Sequence, residues 1–149
     1  MRSADSNSGA SEFLDRLQPL ALLAMRLVLA TVMIAHGSQK VFGGMPKFAS
    51  TVSHIGLPAW MAYVSAAAEF GGGILVLLGV LTRCAALAIT IDLLVAIAKV
   101  HLKSGLRGPG GFEFPLSVMV IAFALIFFGA GPISLDSILS GRPSMLRKR

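Results

Sequence analysis

Glu69 stands near the middle of an apolar run from Ala59 to Leu81 whose only other ionisable side chain is Tyr63. The run is long enough to cross a bilayer, and a carboxylate at that depth is costly unless paired, protonated or wetted. Such a residue marks a functional site or a tie between helices. A second set of polar groups lies upstream. Arg26, His36 and Lys40 fall, with Leu29 and Met33, on the i, i+3, i+7, i+10, i+14 seam of one helix. Three ionisable groups on one stripe would be unfavourable against lipid, so the seam is expected to face other helices. Asp92, in a third apolar run, enters to a depth similar to that of Arg26. This predicts a structural ion pair between Arg26 and Asp92, since arginine stays charged and such a pair fixes register. At 1.5 Å rise per residue, Glu69 is level with Met33, about one turn from His36 and further from Arg26. Which of the two it faces decides whether it can carry a proton.

At the outer end, His36 and Lys40 share a face at i, i+4 spacing and meet Lys99, His101 and Lys103, with Glu113 arriving from a fourth apolar run. Gly37 leaves room for a ligand or a second helix. His36, Lys40, Glu69, Glu113 and His101 are therefore the candidate ligand-binding or proton-handling residues, in a concave site suited to a quinone head group or a small oxyanion. Lys40 would supply positive charge, His36 a hydrogen bond or proton, and Glu69 a proton route inward. The competing reading is that the lysines snorkel to the interface and Glu69 is a packing salt bridge. His36, His54 and His101 lack the spacings of a zinc site, so no metal is expected. A bis-histidine haem between His36 and His101 is allowed by depth alone. Cys84 is the only cysteine, which excludes an internal disulfide and a CxxC redox pair.

The elements that must position these residues are membrane helices. The chain has 149 residues, 55% hydrophobic and 13% charged, with mean hydropathy +0.79; soluble domains carry about 25% charged residues. Four apolar segments, Leu17 to Phe42, Ala59 to Leu81, Cys84 to Leu102 and Phe114 to Ala130, predict an all-α integral membrane four-helix bundle over residues 17–140. Between the first two, Pro46, Gly56 and the shared face of Phe48, Val52 and Ile55 predict a short amphipathic helix in the interface. Trp60 and Tyr63 come next as anchors. The second and third helices turn at Thr82-Arg83, and Ser104 to Gly111 forms a flexible turn. Ser134 or Asp136 caps a brief surface helix after Gly131-Pro132. Residues 1–16 read as a flexible tail and 141–149 as a basic cytoplasmic tail.

The net charge of +6 comes from residues at segment ends and in the C-terminal tail. That pattern speaks for topology and anionic-lipid contact rather than nucleic acid. Seven Lys and Arg on the side of the termini, against five on the other, predict both termini in the cytoplasm.

The ordered motifs Leu23-Ala24-Met25-Arg26, His36-Gly37-Ser38-Gln39-Lys40, Glu69-Phe70-Gly71-Gly72-Gly73, Leu81-Thr82-Arg83, Gly110-Gly111-Phe112-Glu113-Phe114-Pro115 and Gly131-Pro132-Ile133-Ser134-Leu135-Asp136 resemble the DoxX family of bacterial membrane proteins across about Leu20 to Leu139. The resemblance implies a four-helix protein of the bacterial cytoplasmic membrane. Family members include a quinone-reducing thiosulfate oxidoreductase subunit and a partner in a mycobacterial complex linking thiol redox state to superoxide dismutase. The expected function is thus a redox-linked subunit of a membrane complex, with quinone as the expected cofactor and a protein partner. Lacking paired cysteines, this chain is not expected to exchange thiols itself. Two other classes stay open: a non-catalytic scaffold held by its ion pairs, and a small solute or proton transporter.

Overall fold

The computed structural model describes residues 5–139, and every regular element in them is helical. The first helix, α1 (Asp5–Gly43), starts well before the expected Leu17. Once the apolar part is helical, each added residue gains a hydrogen bond without a new nucleus, so helix replaces the flexible tail expected from residue 5 onward. The remainder of that tail, and the basic stretch 141–149, lie outside the described residues. The amphipathic helix is present as α2 (Met45–His54), with proline in its first turn. It ends where Gly56 takes φ +80° and Leu57 N–H reaches the Val52 carbonyl at 3.2 Å, a Schellman closure.

The second span runs from α3 (Met61–Ala66) through a π turn (Ala67–Gly71) into α4 (Gly72–Leu78). The third runs from α5 (Thr82–Ala96) through a second π turn (Ile97–His101) into a short 3₁₀ turn (Leu102–Ser104). After α6 (Glu113–Phe128) the chain ends its described part in α7 (Leu135–Leu139). Among the described residues three spans are long and apolar enough to cross a membrane, and α6 is a shorter apolar helix of 16 residues. Large apolar side chains such as Leu27, Ile91, Leu94, Phe123 and Phe127 lie on the outside of the bundle. That inversion of soluble-protein burial fits a lipid surround.

Leu29, Met33, Val76, Ile89 and Leu125 form the centre of the core. Close approach of α1 to the second span depends on missing side chains. A Cβ on Gly37 would stand 2.5 Å from the Phe70 nitrogen, and one on Gly73 3.0 Å from the Ile34 nitrogen. Ala67/Gly71 and Ala68/Gly72 are further pairs of small residues four apart on the second span. Gly72 does pack against Ile89, whereas Gly71 has nothing within 4 Å. The most extensive contacts join α5 to α6 and α1 to α4, while α3 leans on α1 and α2. The bundle is tight at the α4 end and splayed at the α3 end.

Arg26 belongs to the tight end, and the predicted pair with Asp92 does not form. Its side chain is 2% exposed and donates to four carbonyls: Val76 from Nε at 3.0 Å, Leu77 from Nη2 at 2.8 Å, and Ala130 and Ile133 from Nη1 at 3.1 and 2.5 Å. The carbonyls at a helix end lack intrahelical partners, and a planar five-donor guanidinium fits several at once. Asp136 ties the same region. Its carboxylate accepts the N–H groups of Leu81 and Thr82 at 2.9 and 3.1 Å, while its own N–H donates to the Gly79 carbonyl at 2.8 Å. Asp136 therefore caps α5, and it is Ser134 that caps α7, accepting from Ser137 N–H at 3.2 Å.

Candidate functional site

The splay between α3 and α5 leaves a cavity of about 630 Å³, roofed by α2 and walled by α6. The apolar face of α2 faces inward: Phe48, Val52 and Ile55 line the cavity, while Lys47, Ser50 and His54 are exposed. The helix expected to rest on the interface is thus also a lid over the bundle.

Glu69 sits in the first π turn, 6% exposed. A π turn inserts an extra residue and rotates the helix beyond it, and such turns recur at functional sites. The expectation offered His36 or Arg26 as the partner of Glu69. The structure gives Lys40 instead, with Nζ 2.7 Å from Oε2. The contact between Gly37 and Phe70 explains the choice, because it sets residues 37–40 level with residues 65–70. The approach is ionic and oblique, so Oε2 has no directed hydrogen-bond donor. Lys40 also donates to Ser65 Oγ at 3.1 Å and lies 4.3 Å from the centre of the Phe48 ring. Glu69 and Ser65 are one helical turn apart, and so reach the same ammonium.

Asp92, freed from Arg26, lines the same cavity as Lys40, Ser65 and Glu69 and lies close enough to feel the charges of Lys40 and Glu69. The floor of the cavity therefore holds one ammonium, one hydroxyl and two carboxyl groups, in surroundings otherwise mostly apolar. Neighbouring carboxyl groups beside a single ammonium are a setting in which a proton can be held as well as a charge.

Of the other candidates, His36 is on the cavity wall, its ring 6.0 Å from that of Phe114. His101 also lines the cavity, with Nδ1 2.8 Å from the Gly110 carbonyl. For that contact to be a hydrogen bond Nδ1 must carry the proton, which leaves Nε2 as an acceptor in the neutral ring. Glu113 is not brought in. It is exposed in the first turn of α6, where a negative charge complements the helix dipole. Its N–H is bonded to the Leu106 carbonyl at 3.0 Å, part of a hydrogen-bonded loop where a flexible turn was expected. Sequence reasoning missed Asp92 and Ser65 as site residues. The signals were there: the third span's only carboxylate and a serine at i−4 from Glu69.

The DoxX family model matches residues 21–102, a stretch holding His36, Lys40, Ser65, Glu69, Asp92 and His101. A Bacillus subtilis (strain 168) protein named "Putative oxidoreductase CatD" is 36% identical over 117 residues, covering 78% of this chain and 85% of that protein. An uncharacterized membrane protein of Mycobacterium tuberculosis, Rv3486, is 32% identical over 137 residues, covering 83% and 84%. An uncharacterized Haemophilus influenzae protein is 30% identical over 128 residues, covering 83% and 94%. No solved structure matches significantly. With a matched region that takes in more than half of the chain, and these relatives aligned along most of it, this helical membrane protein belongs to the DoxX family.

Proposed function

We propose that the chain is a redox-linked membrane subunit whose cavity binds a quinone head group. One observation carries this: Lys40, Glu69, Asp92 and Ser65 sit together at the floor of a large apolar cavity inside the membrane region. Two carboxyl groups and one ammonium are neutral when a single proton is held between the carboxyls. Such a floor suits an uncharged carbonyl head group that accepts hydrogen bonds. A small oxyanion is disfavoured, because Lys40 is already matched by Glu69 and Asp92 adds negative charge. A bound quinone would supply two-electron redox chemistry. The side chains of this chain would position it by donation from Lys40 and Ser65 and hold a proton at Glu69 or Asp92. The oxidoreductase name of the Bacillus subtilis relative points the same way for that protein.

Electrons would reach the site from a partner in a larger complex, since the chain has one cysteine and no thiol pair. The setting we propose is the bacterial inner membrane with both termini in the cytoplasm, where the tail Arg147-Lys148-Arg149 would meet anionic head groups. The alternative, a scaffold in which Lys40–Glu69 fixes helix register, gains support from the buried ion pair but leaves the cavity without a use.

The test is quinone carried through purification in mild detergent, measured by extraction and chromatography. Wild-type protein is expected to retain quinone, and Lys40→Gln and Asp92→Asn to retain at least about tenfold less, the worth of one lost charged hydrogen bond. Equal retention by both variants would reject the assignment.

A further inference from the structure

We infer that the cavity is loaded sideways from the bilayer, through an opening between the second and third spans, so that its ligand is a membrane-dissolved molecule whose apolar tail lodges in that opening. This rests on the quinone reading of the floor and adds how the ligand arrives and what class of molecule qualifies. Two observations locate the opening. The cavity lining includes Val64 and Ala68 on the second span and Ala88, Ile91 and Val95 on the third. Val64, Ala88 and Ile91 are at the same time among the exposed residues of the bundle. Residues that both line a cavity and face outward mark its mouth.

The mouth is level with the floor cluster. Ala68 adjoins Glu69, and Ala88 and Val95 bracket Asp92 within about one turn on either side. Glu69 and Asp92 lie mid-span, so the opening gives onto the hydrocarbon centre rather than the head groups. It is apolar throughout, and a water-soluble anion would have to cross acyl chains to reach it. On the outer side the route is closed by Phe48, Val52 and Ile55 of α2. An amphiphile in the bilayer meets no such barrier: its head turns in toward Lys40 and its tail stays between α3 and α5, in contact with lipid.

The experiment uses the full chain in lipid nanodiscs and two photoreactive probes. One is a prenylated naphthoquinone with a diazirine on its tail; the other is a tail-less azidoquinone. Adducts are mapped by mass spectrometry. The tailed probe is expected to label Val64, Ala68, Ala88 or Ile91. Ala88→Phe, at an exposed site outside the polar floor, is expected to cut labelling by the tailed probe at least about tenfold by filling the part of the mouth that the tail occupies, while the tail-less probe, whose small uncharged head alone has to pass, still labels the cavity. Val64→Phe provides an independent plug. Tail adducts on α2 instead, or full labelling by the tailed probe in both plugged variants, would overturn side loading while leaving the quinone reading intact. Failure of both probes to label the wild-type cavity would overturn the quinone reading and this inference with it.

Discussion

Lys40 compensates two carboxyl groups, so removing it should hurt more than removing either acid. Lys40→Met is expected to destabilise the protein by about 3 kcal/mol, because a broken buried pair leaves an uncompensated charge. Lys40→Met/Glu69→Gln should recover most of that loss in thermal unfolding followed in micelles. A double variant as unstable as the single one would show that the ion pair is not what the site depends on. Arg26 offers a different test. Arg26→Lys keeps the charge but offers three donors from one nitrogen in place of the guanidinium fork, and is expected to cost about 3 kcal/mol as carbonyls of α4 and the 130–133 turn go unmatched. At this scale the sequence showed which residues mattered better than how they paired. The Arg26, Leu29, Met33 part of the seam does face inward, whereas Lys40 is half-buried and His36 exposed. Pairing by depth failed for Arg26 and Asp92 because it considered only side-chain partners, whereas the orphaned carbonyls of Val76, Leu77, Ala130 and Ile133 were the stronger attraction.

Individual helices were largely legible in the sequence, and their junctions less so. Hydropathy located all four apolar segments, and Pro46 and Gly56 marked α2 closely. The two π turns had no readable signal, since Ala67–Gly71 and Ile97–His101 look like ordinary helix until packing forces an extra residue into the turn. Their effect on the site is large, because the first one carries Glu69. The contact of Gly37 with the Phe70 backbone holds that turn in register with Lys40. Gly37→Ala is therefore expected to destabilise by about 2 kcal/mol through overpacking and to weaken the Lys40–Glu69 contact. Gly71→Ala, with open space around it, should be neutral or slightly stabilising given alanine's better helix propensity. Thermal unfolding of the two variants side by side checks both. A neutral Gly37→Ala would mean that α1 and the second span do not meet as closely as described.

For the molecule as a whole, the prediction concerns topology. Four crossings would return the chain to its starting side, and the charge distribution predicts the cytoplasm for both ends. Green fluorescent protein fused after Arg149 should fluoresce, and alkaline phosphatase fused there should be inactive. The reverse pattern would mean that the 16 residues of α6 fail to cross. At about 24 Å that helix is short against a hydrocarbon core of about 30 Å, so the bilayer must thin locally beside it. The cavity could not have been read from the sequence. It exists because α3 leans toward α1 and α2 while α5 packs on α6, a divergence that no local pattern encodes.

The guanidinium of Arg26 also constrains how the protein is made. Two of its acceptors, the carbonyls of Val76 and Leu77, emerge from the ribosome long after α1 does, and the other two, Ala130 and Ile133, come only with the end of the last span. Until then the cationic side chain in the first segment lacks half of its acceptors. The early segment must wait beside the insertion machinery for the rest of the chain. A nascent polypeptide stopped before Gly129 should therefore remain crosslinkable to the translocon or be degraded, whereas one extended past Asp136 should be released as a protease-resistant bundle.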